Sequence, residues 1–329
     1  VSHIKTIKWG ILGPGGIAQQ FTRDLKFAEH AEAVAVGSRT KEKAEAFAKE
    51  FGIARSYGSY EELVADSEVD IVYVATPHTY HREHVMLCLR AGKAVLCEKP
   101  FTVSAAETEE LVSYARDNKL FLMEAMWTRY LPGIIKVREW LKEGRIGEIR
   151  MAKGEFGFRI GWDPASRLLN PDLAGGALLD AGIYPVSFAS MVFGGPPESI
   201  ASSATIGKTG VDEQYSLLFT YSGGRTASLS GAVRLRMDNE FVIYGTEGKI
   251  TIPNFFMAKT VILQVYDREE ERFEDKGRMK GYAFEAEEAG RCLREGRTES
   301  DVMPLAETLQ LMKTLDTIRG QWGLKYPFE

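Results

Sequence analysis

The chain has 329 residues, 44% of them apolar, and a net charge of −5 with acidic and basic residues interspersed. That length suits two domains with separate cores. The mixed charge leaves nucleic acid no basic footprint, and no apolar run is expected to approach the ~18 residues of a membrane span. The opening VSHIKTIKWGILG lacks a signal peptide's apolar core and cleavage site and leads straight into a first strand. Three cysteines, Cys88, Cys97 and Cys292, have no metal-type spacing, as expected of a protein in a reducing cytoplasm.

Up to about residue 125, short apolar runs alternate with helical patterns: IKWGIL then IAQQFTRDLKFA, AEAVAVGS then TKEKAEAFAKEFG, VDIVYVAT then YHREHVMLCLRAG, AVLCEKP then SAAETEELVSYARDNK, and finally LFLMEAM. This rhythm implies parallel strands with crossover helices, a doubly wound Rossmann sheet. The first strand closes on GPGGIA, where Gly13, Gly15 and Ala18 have the G-x-G-x-x-A spacing. Gly13 permits the tight turn, Gly15 lets backbone approach a pyrophosphate at the helix end, and Ala18 allows close helix–strand packing. Gly13, Gly15, Gly16 and Ile17 are therefore the expected phosphate-side contacts. After the second strand, GSRTKEKA places Ser38, Arg39 and Lys43 where an NAD-specific site carries a carboxylate. Groups that bind a 2′-phosphate favour NADP(H) over NAD(H) as cofactor.

The loop ATPHTYHREH carries three of the five histidines. A metal site is set aside for want of acidic or cysteine partners nearby in sequence, leaving Thr76, Pro77, His78 and His81 as cofactor-loop contacts with helix capping as the alternative. At the end of the next strand, Glu98 and Lys99 face the same carboxyl edge. There a lysine can orient a hydroxyl and lower the pKa of a neighbouring acid, or can simply form a structural pair with Glu98.

After about residue 150 the grammar becomes β-rich, with runs such as EQYSLLFTYS and RTASLSGAVRL separated by turns at Ser222–Gly224 and Glu247–Gly248. An open, mostly antiparallel sheet in an α+β domain is expected. DREEERFEDKGRMK reads as a solvated hairpin or loop. The stretch LAGGALLDAGIYPVSFASMVFG puts Asp180 and Tyr184 four apart, on one helix face, although Pro185 must kink that helix or start a new one. The domains are therefore drawn as 1–125, dinucleotide-binding, and 126–329, substrate-binding and dimerisation, with the last helix free to pack back on the first domain.

Taken together, GPGGIA, EKP and DAGIY resemble the Gfo/Idh/MocA oxidoreductase family, and VMLCLRAGKAVLCEKP and LFLMEAMWTRYLP are similar to its dimeric trans-dihydrodiol dehydrogenase/NADP-dependent D-xylose dehydrogenase branch. The resemblance implies Lys99 beneath the nicotinamide, with a cis Lys99–Pro100 bond. It further implies Tyr184 as the catalytic tyrosine, Asp180 as a substrate-contacting acid, Arg39 on the 2′-phosphate, Arg167 near the cofactor, and Trp127 and Arg129 bordering the active site. It also implies a homodimer formed through the second-domain sheet. Inositol-type members carry histidine where Tyr184 stands, and His78 replaces an asparagine common in the wider family. The expected activity is NADP-dependent hydride transfer at a sugar or diol hydroxyl carbon. The alternatives are a non-catalytic NAD(P)-binding sensor and a keto- or imino-sugar reductase.

Overall fold

The computed structural model describes residues 4–277 and 281–329; Val1–His3 and the last three residues of DREEERFEDKGRMK, 278–280, lie outside them. By its contacts the chain divides into two compact units, Val1–Tyr130 with Arg278–Leu309, and Leu131–Gly277 with Gln310–Glu329.

The first unit alternates β1 (Ile7–Leu12), α1 (Gly16–Leu25), β2 (Ala31–Gly37), α2 (Lys41–Phe51), β3 (Arg55–Tyr57), α3 (Tyr60–Ala65), β4 (Ile71–Val74), α4 (His81–Arg90), β5 (Ala94–Glu98), α5 (Ala105–Asp117) and β6 (Leu122–Ala125). Its six strands pair in parallel in the order β3-β2-β1-β4-β5-β6. Every residue of β4, β5 and β6 is buried, which is why these strands read as unbroken apolar runs rather than as alternations. The order reverses between β1 and β4, the place where an open α/β sheet forms a crevice at its carboxyl edge. Each loop leaving that edge carries residues singled out above: 13–16 after β1, 38–40 after β2, 75–78 after β4, 99–100 after β5 and 126–129 after β6.

The second unit opens with α6 (Pro132–Lys142) and β7 (Ile149–Gly157), then α7 (Ile183–Phe193), β8 (Ser199–Ile206), β9 (Asp212–Tyr221), β10 (Arg225–Ala232), β11 (Phe241–Gly245), β12 (Gly248–Ile252), β13 (Thr260–Val265) and β14 (Glu271–Glu274). The sheet order is β14-β13-β12-β11-β7-β10-β9-β8, antiparallel except between β7 and β10. In β9 Tyr215, Leu217, Phe219 and Tyr221 are buried while Gln214, Ser216 and Leu218 are exposed, the alternation of a sheet with one face covered. On the covered face Phe188 of α7 packs against Phe241 and Phe255. Against the expectation that no apolar run approaches the length of a membrane span, Pro171–Phe193 is long and apolar enough by composition, but 83% of its apolar window is buried within the protein. Its apolarity is that of a core helix.

Two further helices, α8 (Tyr282–Arg294) and α9 (Leu305–Trp322), complete the chain. Against the boundary drawn at 125/126, the first unit also takes 126–130 and 278–309. The reason lies in α8, which buries Ala283, Ala286 and Ala289 and packs on α1. Gly281 has no side chain to cap α8, and the Asp24 carboxylate of α1 accepts instead from the Gly281 and Tyr282 amides at 2.9 and 3.0 Å.

Candidate active site

The turn after β1 is built from backbone. Gly13 has φ +92°, and a Cβ there would lie 2.7 Å from the Thr76 methyl, so side chain and conformation both exclude other residues. Gly15 and Gly16, by contrast, face open space: no atom lies within 4 Å of a Cβ at either. A bare backbone opening a helix N-terminus is a cradle for a pyrophosphate, and a side chain at either glycine would fill it. Ile17 is half-buried in the first turn of α1, and Ala18 beside it is buried in the helix–strand interface. The residues present therefore fit a dinucleotide.

In the loop after β2, Ser38 is buried, and its amide donates to the Tyr57 carbonyl at 3.1 Å. Arg39 and Lys43 are exposed. The Arg39 charge reaches His84, whose pKa is lowered to about 4, mostly by burial and then by Arg39. Thr76 Oγ1 lies 2.9 Å from His84 Nδ1, while the Tyr60 ring meets His84 edge-on at 4.7 Å. Pro77 is exposed and His78 buried. His81 is enclosed: Nε2 lies 2.8 Å from the Thr76 carbonyl and Nδ1 3.0 Å from that of Pro100, and burial lowers its pKa to about 4. His81 thus ties the β4 loop to the β5 loop. Among the described residues no group of three or more His, Cys, Asp or Glu side chains is placed to hold a metal.

The Lys99–Pro100 peptide is cis. Glu98 is buried, with Oε1 accepting from the Tyr73 hydroxyl at 2.5 Å and Oε2 from the Lys99 amide at 3.1 Å. The carboxylate thereby braces the backbone from which the half-buried Lys99 side chain departs. Trp127 packs on Tyr282 at 4.9 Å. Arg129, expected at the border of the active site, is 1% exposed, and its guanidinium pairs with Glu307 at 2.6 Å and donates to the Val302 carbonyl at 3.3 Å.

In the second unit, Arg167 Nη1 donates to Asp180 Oδ1 at 2.8 Å, so two residues singled out separately form one ion pair. A π-helical turn, Leu178–Gly182, leads directly into α7 and resolves the problem of Pro185. Proline cannot donate to the carbonyl four residues back, and the wider turn accommodates that missing bond without breaking the helix. Tyr184 is buried between Phe156 and Phe256, with ring centroids at 5.4 and 5.0 Å, both edge-to-face.

Residues 7–126 match the oxidoreductase family described as GFO_IDH_MocA, NAD-binding Rossmann fold, and residues 134–251 match the GFO/IDH/MocA C-terminal domain. The chain belongs to the Gfo/Idh/MocA oxidoreductase family. It is 41% identical over 333 residues to the mouse trans-1,2-dihydrobenzene-1,2-diol dehydrogenase, covering 98% of each chain. Among solved structures it is similar to KijD10, a 3-ketoreductase from Actinomadura kijaniata in complex with NADP and TDP-benzene, with a TM-score of 0.84 and 27% identity over 96% of this chain and 98% of that one. The fold is also that of an aldose-aldose oxidoreductase from Caulobacter crescentus complexed with glycerol, with a TM-score of 0.89 and 24% identity over 97% of this chain and 98% of that one. The first unit of this Gfo/Idh/MocA protein is thus a nicotinamide-dinucleotide-binding domain.

Sequence reasoning missed Tyr73 and the His84–Tyr60 contact beside Arg39. A tyrosine inside the fully apolar run IVYV carries a hydroxyl that must find a partner, which is a legible signal. His84 offered none, because its neighbour Tyr60 comes from a different helix.

Proposed function

We propose that this Gfo/Idh/MocA protein is an NADP-dependent dehydrogenase of a secondary or hemiacetal hydroxyl in a sugar or a trans-dihydrodiol. The occurrence in one chain of Lys99, Tyr184 and the bare glycine turn carries the reading, and the name of the 41%-identical mouse relative supports the diol class. A bound nicotinamide supplies the hydride chemistry. The chain's own residues handle the proton: Tyr184 Oη accepts it from the substrate hydroxyl, Lys99 Nζ orients that hydroxyl and favours the phenolate, and Asp180 positions the substrate. Trp127 lies at the same carboxyl edge as Lys99. Arg167 holds the Asp180 carboxylate in place through their 2.8 Å pair. Arg39, with Ser38 and Lys43, selects the 2′-phosphate and hence NADP over NAD.

The test is nicotinamide absorbance with purified protein, comparing NADP and NAD against D-xylose, D-glucose and trans-1,2-dihydrobenzene-1,2-diol. Turnover with NADP and one of these is expected. Lys99→Ala and Tyr184→Phe should each reduce it by ~100-fold or more, and a double variant no worse than either single would show that the two serve one proton transfer. Near-normal turnover in Tyr184→Phe would sink the tyrosine assignment, and tight NADPH binding with no turnover on any substrate would favour the sensor.

The quaternary reading is a homodimer through the uncovered face of the second sheet, where Met151 and Leu218 are exposed among small polar residues. Sedimentation showing only monomer at micromolar concentration would remove it. The three thiols are free and buried, in keeping with residence in the cytoplasm, which cell fractionation tests.

A further inference from the structure

The loop and π-helical turn that present Arg167, Asp180 and Tyr184 are held by groups that no part of the reaction requires. Asp212, the first residue of β9, is fully buried, and its Oδ2 accepts from the Leu178 amide at 2.7 Å, capping the turn at its N-terminal end. The preceding residue but one is Gly176, with φ +122° and a Cβ position that would collide with Asp212 Oδ1. Only glycine lets the chain pass over this carboxylate. Next to it, the Gly175 amide donates to the Asn170 carbonyl at 3.0 Å, and the Gly175 carbonyl accepts from the Tyr326 hydroxyl at 3.0 Å.

Tyr326 is itself locked. It is 2% exposed, the Arg319 guanidinium lies 4.9 Å from its ring centroid, and its amide donates to Glu329 Oε2 at 2.8 Å. Arg319, 5% exposed, grips both Glu329 oxygens at 2.8 Å. The segment 324–329 therefore folds back as a brace anchored by the buried Leu324 and Tyr326, and its one hydroxyl directed at the glycine loop is spent on a backbone carbonyl there. Burial raises the Asp212 carboxyl to about 7, offset in part by the Leu178 amide and by the Arg319 charge. A bare carboxyl at that depth without a capping duty would be a costly choice against an apolar side chain.

We infer that Asp212 and Tyr326, the latter set by the Arg319–Glu329 pair, are positioning residues of the enzyme: together they clamp the glycine loop and π-helical turn so that Asp180 and Tyr184 are delivered in register. Neither touches substrate, and the inference rests on the roles proposed above for Asp180 and Tyr184. A misplacement of about 1 Å in a reacting group costs as much as 10²-fold in rate, so the clamp acts on turnover more than on binding.

The experiment uses Tyr326→Phe, Asp212→Ala and Asp212→Asn in the full chain. Tyr326→Phe and Asp212→Ala are expected to lower kcat by ~10-fold or more while leaving the substrate KM, and the NADPH Kd read from nicotinamide fluorescence, within about twofold. Asp212→Asn keeps an oxygen acceptor for the Leu178 amide and should restore most of the kcat. Unchanged kcat in folded Tyr326→Phe would overturn the clamp, as would Asp212→Asn as impaired as Asp212→Ala. If Asp212→Ala does not fold, Tyr326→Phe, which deletes one oxygen, decides alone. Tyr184→Phe measured in parallel separates the two readings: turnover surviving there, but lost in Tyr326→Phe, places the failure in the tyrosine assignment and not in the clamp.

Discussion

At Gly13 a positive φ and a methyl group 2.7 Å from where a Cβ would stand act on the same atom. Gly13→Ala should therefore destabilise the protein by about 1–3 kcal/mol in urea unfolding, whereas Gly15→Ala, facing open space, should leave stability nearly unchanged and weaken NADPH binding instead. Equal stability losses at the two positions would contradict this division between folding and ligand. Arg39 poses the complementary case, an exposed cation with no folding duty in view. Its replacement by Ala is expected to raise the Kd for NADPH by ~10–100-fold, the worth of charge-assisted bonds to a phosphate, with little effect on NADH. A parallel loss for both cofactors would remove the 2′-phosphate assignment. Gly13 was legible from its place after β1, because the turn there needs a positive φ, while Arg39 was singled out only by standing after β2, where a 2′-phosphate would lie. Asp212 was not legible, since a carboxylate opening a β-strand acquires its meaning only from the Leu178 amide it meets 34 residues away in sequence.

Among the elements, the turn Trp127–Tyr130 shows what a local motif cannot reveal. The resemblance places Arg129 at the border of the active site; the structure shows its guanidinium buried against Glu307, in the first turn of α9. Removing one partner of a buried pair strands the other charge, so Glu307→Ala should cost roughly 3 kcal/mol of stability. If Arg129 served substrate alone, Glu307→Ala would instead shift KM with no change in the unfolding midpoint. The π-helical turn before α7 makes the same point for backbone. Pro185 announced a disturbance in the helix, but not its form, a widened turn that keeps Asp180 and Tyr184 on a continuous helical path and whose first amide is capped by Asp212.

Across the whole molecule, buried ionisable groups pull stability in opposite directions with pH. Burial lowers His81 and His84 from 6.5 to about 4, so the unfolded chain binds protons that the folded one does not, and their contribution is lost as pH falls from 6.5 towards 4. Burial raises Glu124 from 4.5, and Asp212 from 3.8, to about 7, so the folded chain keeps protons that the unfolded one has released. Their contribution is lost as pH rises through that window. Removing one group should unmask the other class. Between pH 4.5 and 6.5, Glu124→Gln should make stability climb more steeply with pH than in the parent, and His81→Asn should make it climb less steeply or fall. Urea midpoints at the two pH values check this, and parallel slopes for all three proteins would refute it.

What could be read from residue order alone was whatever depends on neighbours in the chain. Apolar runs without alternation announced the buried parallel strands, alternation announced the half-covered sheet, and glycines after β1 announced the phosphate turn, because periodicity and φ restrictions act over a few residues. The partners chosen across long separations came only with the tertiary structure: Asp24 capping α8 from 257 residues away, Glu307 on Arg129 from 178, and Tyr326 on the Gly175 carbonyl from 151. Each satisfies a buried polar group. Which of many chemically equivalent donors and acceptors does so is settled by how the elements pack, and no local pattern encodes that packing.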